Sequence, residues 1–279
     1  MREVSNYVHA LEYGLDRIES LPISLRLIRE LHERLLAGAR GSQQALPGEF
    51  RRGQNLIGRS GDTLATARFV PSPPPEMLVA LDAFEKYLHS PQALDPLIRL
   101  ALIHYQFEAI HPFGDGNGRI GRLLISLLLV QWGLLPLPLL YLSAYFEKHR
   151  DGYYDRLLAV SQNSAWRDWL VFFLRGVEQQ AQDAVKRSKQ LQDLQSDWRA
   201  RAAKAKTTLP VQLVDALFEN PVVSISDVAR RLSVSYNAAQ RAVEKLVELQ
   251  VIGQVGDTSY GKTFIAWEIL RVALQKDSA

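Results

Sequence analysis

Apolar residues recur at helical spacing through most of the chain. Val8, Leu11, Leu15 and Ile18 share one face of Val4–Ser20, and Leu25, Ile28, Leu31 and Leu35 share one face of Ser24–Leu36. Both segments are predicted helices. The pattern then lapses over Gly38–Pro75, which is rich in Gly, Pro, Ser and Thr and carries its apolar residues in short runs. That composition predicts an irregular loop holding a small hairpin, Gln54–Ile57 against Ala67–Val70. Helical spacing resumes over Glu76–Leu88, Pro96–Ile110 and Ile120–Trp132, the last two separated by a glycine-rich loop.

Leu123–Leu142 carries no charge over twenty residues, nominally enough to span a bilayer. Gly133, Pro136 and Pro138 break its second half, so the reading is a buried central helix followed by a proline-rich turn, with no membrane span. A further helix runs through Tyr153–Leu157. Trp166–Ala205 reads as one helix, or as two broken at Gly176. Its first part is apolar (Trp169, Leu170, Phe172, Phe173) and its second part is a polar connector.

The last stretch has a different rhythm. Val211–Phe218 is a short helix and Pro221–Ser224 an extended link. Ser224 with Asp227 resembles a capping box opening a helix to Leu232. After the tight turn Ser233–Ser235, Ser235 caps a helix striped by Ala239, Ala242, Val243, Leu246 and Leu249. Two helices on so short a turn form a helix-turn-helix pattern. Val251–Ile252 and Phe264–Trp267 then frame a hairpin with the tip Gly256–Lys262. The expected organisation is residues 1–178, a helical connector at 179–206, and a smaller domain at 207–279.

Composition narrows the class. Hydrophobic residues make up 47% and charged residues 23%, as in a soluble globular protein. The absence of cysteine excludes disulfides and thiolate metal sites, and the first residues lack the apolar core of a signal peptide; a cytoplasmic setting is expected. A net charge of +3 permits a nucleotide or nucleic-acid partner without requiring one.

Candidate chemistry concentrates in His111-Pro112-Phe113-Gly114-Asp115-Gly116-Asn117-Gly118-Arg119-Ile120-Gly121-Arg122. Pro112 ends the preceding helix and leaves the His111 imidazole, a titratable base, facing the loop. Glycines let the backbone approach a ligand, and N–H groups converging before a helix N-terminus form an anion site. Asp115 is a hard oxygen ligand suited to Mg²⁺. Asn117 can donate to phosphate oxygen. Arg119 and Arg122 share one face of the first helical turn, where a bound anion would offset the unfavourable placing of cations.

This run resembles the signature of the Fic family, His-Pro-Phe-x-(Asp/Glu)-Gly-Asn-Gly-Arg-x-x-Arg, without departure. The resemblance implies a mainly α fold: a Fic-type helical domain with a β-hairpin flap, here followed by a winged helix-turn-helix domain. It implies transfer of AMP from ATP to a Ser, Thr or Tyr hydroxyl of a target protein, with His111 as general base and Asp115 as the Mg²⁺ ligand. Gly116, Asn117 and Gly118 would form the phosphate cradle, and Gly121 would also belong to the nucleotide-binding residues. Arg119 would support the loop and Arg122 would reach the γ-phosphate. Ile57, Gly58 and Tyr153 would bound the nucleotide, and the target would dock on the flap near residues 47–70. Some relatives carry Asn where this chain has Ser161, so no adenine contact is assigned there.

Many such proteins restrain themselves through a helix bearing Ser/Thr-x-x-x-Glu-(Gly/Asn) against the second arginine, here Arg122. The pattern is not found ahead of Val4–Leu15, so the expectation is a derepressed enzyme, either a truncated form or one that relies on a separate inhibitor. Two other functions stay open: a DNA-binding regulator contacting DNA through residues 224–262 with a nucleotide-sensing Fic domain, and a Fic enzyme that uses another donor or removes AMP.

Overall fold

A computed structural model describes residues 2–38, 46–59, 61–91, 93–256 and 262–274. The chain forms two compact units, Met1–Ala181 and Gln182–Ala279. In the first, α1 (Arg2–Ile18) and α2 (Leu25–Leu35) precede the irregular segment, followed by α3 (Pro74–His89), α4 (Pro96–Ile110), α5 (Asn117–Gln131), α6 (Leu142–Lys148) and α7 (Arg150–Asn163). The sequence explains the starts. The Ser24 hydroxyl accepts from Leu27 N–H, the Asp95 carboxylate accepts from Leu97 N–H, and prolines occupy the first turns of α3 and α4.

Helix α5 is the centre of this unit. Ile120, Leu123, Leu124, Leu127 and Leu128 are buried, and α1 and α4 pack against it. The uncharged run therefore divides as expected: its first half is core, and its second half is an exposed turn with Leu137 and Leu139 at the surface. No helix among the described residues is long and apolar enough to cross a membrane.

Several expectations need correction. The hairpin before α3 is reduced to a single antiparallel bridge, Ile57↔Phe69. Helix α8 (Trp166–Ala202) runs through Gly176 without a break. A Cβ on Gly176 would lie 2.6 Å from the Tyr145 ring, so the glycine permits close packing and is not a helix stop.

The unit boundary falls within α8. Beyond it, the second unit contains α9 (Leu209–Glu219), β1 (Val222–Ser224), α10 (Ile225–Arg231), α11 (Tyr236–Glu248), β2 (Gly253–Val255), β3 (Thr263–Ile265) and α12 (Trp267–Leu274). Ser224 and Asp227 form a reciprocal capping box, and Ser235 caps α11 through Ala238 N–H. The segment read as a link is a strand. β1 pairs antiparallel with β3, β3 pairs with β2, and the order is β1-β3-β2. Trp267, assigned to the hairpin, instead opens α12. Of the expected hairpin tip Gly256–Lys262, residues 257–261 lie outside the described residues. Trp198, Leu213, Val243, Leu246 and Phe264 anchor the core of this unit.

Candidate active site

The glycine-rich loop is held from three sides. His111 caps α4 in the left-handed conformation (φ 50°, ψ 61°), and Gly116 caps the start of α5 at φ 83°. The second of these is cheap only for glycine. Asn117 is 2% exposed, and its amide closes the loop on itself: Oδ1 accepts from Phe113 N–H at 2.9 Å and Nδ2 donates to Phe113 O at 2.8 Å. Its side chain therefore braces the loop and is not free for phosphate. From α2, the His32 Nδ1 accepts from Gly48 N–H and its Nε2 donates to Asp115 O, both at 3.0 Å, while its ring stacks on Phe113 at 3.8 Å. The third support is Arg51, buried, whose guanidinium reaches the carbonyls at the end of α4.

A cavity of about 590 Å³ opens beside this loop. His111 and Gly118 line it from the loop and from α5, Ile57, Gly58, Arg59, Asp62 and Arg68 from the flap, and Tyr154 and Ser161 from α7. Flap and α7 meet through Arg68 and Asp155 at 2.5 Å, and Arg68 sits over the Tyr154 ring. Ile57 and Gly58 thus share this cavity with His111. Tyr153 does not line the cavity. It is 3% exposed and its hydroxyl lies 2.9 Å from His104 Nε2, whereas Tyr154, one position on around the helix, faces the cavity. Ser161 also lies on the wall, with its hydroxyl 2.9 Å from Tyr105 OH.

Burial sets the electrostatics. It lowers the His111 pKa to about 4, with the Arg51 charge adding to the effect, so the imidazole is neutral near pH 7. Nδ1 lies 3.3 Å from the Glu108 carbonyl oxygen and must be the donor there, which leaves the Nε2 lone pair free. Glu108 is pushed up to about 7 by burial, and its Oε1 has no hydrogen-bond partner. Gly121 is not among the residues that line the cavity. A Cβ there would lie 2.5 Å from Glu108 Oε1 and 3.2 Å from Phe107, so this glycine lets α4 and α5 approach and does not cradle a ligand.

The arginines differ. Arg119 Nη2 lies 3.3 Å from Asp115 Oδ2, and its Nη1 lies 3.8 Å from Glu3 of α1. Arg122 folds back over the first turn of α5, its Nη1 within 3.0 Å of where a Gly118 Cβ would sit. Asp115 Oδ1 accepts from Gly116 N–H at 2.6 Å, and the side chain remains 65% exposed. Lone pairs are therefore open on a hard carboxylate beside a helix N-terminus, a donor set that fits Mg²⁺ bound with phosphate.

Residues 22–129 match the model of the Fic/DOC family. The chain carries a Fic/DOC family domain. Among curated relatives, Protein adenylyltransferase Fic of Aedes aegypti is 34% identical over 142 residues, covering 50% of this chain and 25% of the relative. Its counterpart in Drosophila grimshawi is 37% identical over 134 residues, covering 47% and 25%. The chain spans about a quarter of the length of these relatives. The fold is similar to the crystal structure of a Fic family protein from Desulfovibrio desulfuricans G20, with a TM-score of 0.56, 20% identity, and coverage of 95% of this chain and 76% of that one. Fic-1 from C. elegans gives a TM-score of 0.51 at 24% identity, over 68% of this chain and 53% of that one.

Within the Fic domain, the spacing of the motif identified the loop but not its supports. His32, Arg51, Glu108 and Tyr154 went unassigned. His32 and Arg51 are buried polar residues in otherwise ordinary segments, and only their contacts reveal a role. Glu108, three residues before His111 on a helix, was the one with a readable signal, because that spacing puts it on the face of the base.

Proposed function

We propose that the protein is an adenylyltransferase moving AMP from Mg·ATP to a Ser, Thr or Tyr hydroxyl of a target protein. The observation that carries the reading is a neutral His111 with a free Nε2 on the wall of a cavity that Gly118, in the first turn of α5, also lines. In the step, the target hydroxyl oxygen attacks the α-phosphorus and its proton passes to His111 Nε2. The bond from the α-phosphorus to the bridging oxygen breaks and pyrophosphate leaves. Main-chain N–H groups opening α5 receive the phosphates, and Arg122 reaches the γ-phosphate. Arg119 holds the Asp115 carboxylate. Asp115 would hold Mg²⁺, which when bound neutralises charge on the departing pyrophosphate.

The target segment docks on the flap near residues 47–70, beside the Ile57↔Phe69 bridge, through main-chain hydrogen bonds. Ile57 and Gly58 bound the nucleotide from that side. A peptide bearing the Ser-x-x-x-Glu-Gly pattern, or a separate inhibitor protein carrying it, is expected to suppress transfer through Arg122. The reading includes a cytoplasmic setting, the compartment that supplies ATP.

We read the second unit as a winged helix, with α10 and α11 as the helix-turn-helix and the three-stranded sheet behind them. Tyr236, Asn237 and Arg241 are exposed on α11 and suit contact with DNA. Binding to duplex DNA that weakens steeply with salt is the expected signature.

The deciding experiment is incubation with Mg²⁺, ATP labelled at the α-phosphate and candidate target proteins, beside His111→Ala. Label on protein that depends on His111 is expected. No label in either sample would move the reading to another nucleotide donor, to AMP removal or to a nucleotide-sensing DNA-binding regulator.

A further inference from the structure

The end of α4 presents four successive carbonyls, those of Ile110, His111, Pro112 and Phe113. Carbonyls at a helix end lack donors from the helix itself. Here each accepts from the segment that opens the flap. Arg51 Nε donates to His111 O at 2.9 Å and Nη2 to Ile110 O at 3.5 Å. The main-chain N–H of Arg51 donates to Pro112 O at 2.9 Å. Asn55 Nδ2 donates to Phe113 O at 2.8 Å. The other guanidinium bonds go to Gly53 O at 3.0 Å and to Ser72 O. One side chain therefore ties together both stems of the flap and the backbone of the proposed base.

Arg51 is only 6% exposed, and its hydrogen-bond partners are main-chain carbonyls rather than a carboxylate. Burying a cation this way is costly unless local dipoles answer it. The negative end of the α4 dipole does so. The arrangement has a specific effect at His111, a residue with a Cβ held at φ 50°. Left-handed backbone is disfavoured for such a residue and persists only where its surroundings impose it. Lysine would keep the charge at Arg51 but could not span four carbonyls in two directions, because it lacks the planar fork.

We propose that Arg51, assisted by Asn55, is a positioning residue that locks the His111 backbone in its left-handed conformation and so aims the imidazole into the cavity, with flap and base sharing one anchor. The inference rests on the reading of His111 as the base. It predicts that losing the fork damages the chemical step more than nucleotide binding. A misaimed base costs roughly 10²-fold in rate.

The test compares Arg51→Lys, Arg51→Ala and Asn55→Ala with the wild type by kcat, KM for ATP, ATP affinity by calorimetry and thermal melting. Arg51→Lys and Arg51→Ala should lose kcat by roughly 10- to 100-fold at unchanged ATP affinity, and guanidinium ion should restore part of the rate to Arg51→Ala. Asn55→Ala should lose a smaller factor with the same split. Should Arg51→Ala not fold, Arg51→Lys and Asn55→Ala decide. Unchanged kcat per ATP-binding molecule in those two would overturn the proposal, as would losses that follow melting temperature and ATP affinity alone. A crystal structure of Arg51→Lys supplies a readout independent of activity: φ at His111 should leave the left-handed region, and an unchanged φ overturns the inference. A wild type that transfers no AMP would sink the adenylyltransferase reading, while this measurement would still decide the positioning role.

Discussion

The two units of the molecule bury different things. Among the described residues, the buried polar and charged side chains are Asn6, His32, Arg51, His104, Glu108, Asn117 and Gln180, all in the first unit. The second unit has a core of Trp198, Leu213, Val243, Leu246, Phe264 and similar residues, with polar pairs such as Ser224–Asp227 and Arg230–Asp227 at a cap and on the surface. Buried polar groups are costly unless they are partnered, and they are tolerated where geometry has to be held. The first unit carries part of that cost around one loop, through His32, Arg51 and Asn117. The second follows the ordinary economy of a small domain, in which apolar burial supplies stability and polar groups end helices.

The largest expected effect tests whether the polar interior of the first unit serves chemistry. His111→Ala should lower AMP transfer by about 10²- to 10⁴-fold while ATP affinity, measured by calorimetry, changes little. Equal losses in rate and affinity would make His111 a binding group. Next comes a core truncation in the second unit. Leu213 is fully buried, and Leu213→Ala should cost about 2–5 kcal/mol in the denaturant unfolding of that unit while transfer measured below its transition is retained. Loss of transfer without unfolding would erase the contrast between the units.

Glu108→Gln gives an intermediate effect with a defined sign. The folded-state pKa of Glu108 is raised to about 7 from 4.5, so the wild type loses stability as pH rises from 4.5 through 7. The amide does not titrate, and the variant should be more stable at pH 8 by on the order of 2 kcal/mol. Urea unfolding at pH 5 and pH 8 checks this, and identical pH slopes in the two proteins would refute it. His32, His104 and His111 act in the opposite direction. Their lowered pKa values make stability fall as pH drops below 6.5, and that slope should survive in Glu108→Gln. The smallest effect belongs to the second unit: Ser224→Ala removes half of a capping box and should cost about 1 kcal/mol by thermal melting, with transfer unchanged.

Sequence alone determined the helices with strong spacing and the motif loop. Ser224 and Ser235 marked helix starts because capping is a local interaction, and Pro112 marked a stop for the same reason. The twelve-residue run from His111 to Arg122 was legible because its chemistry needs those residue types close together in the chain. Tertiary structure decided what depended on distant partners. Gly176 read as a break until Tyr145 was found packed against it. Pro221–Ser224 read as a link because a three-residue strand exists only when β3 pairs with it. Tyr153 and Tyr154 could not be told apart by composition, since only the packing of α7 determines which of the two faces the core. Gly121 and Asn117 read as ligand contacts from the motif, and their packing partners came only with the fold: Gly121 lies where α4 and α5 approach, and the Asn117 amide bonds Phe113. Arg51 carried no local signal at all: its role follows from carbonyls about sixty residues away, and only the folded chain brings them within reach of one guanidinium.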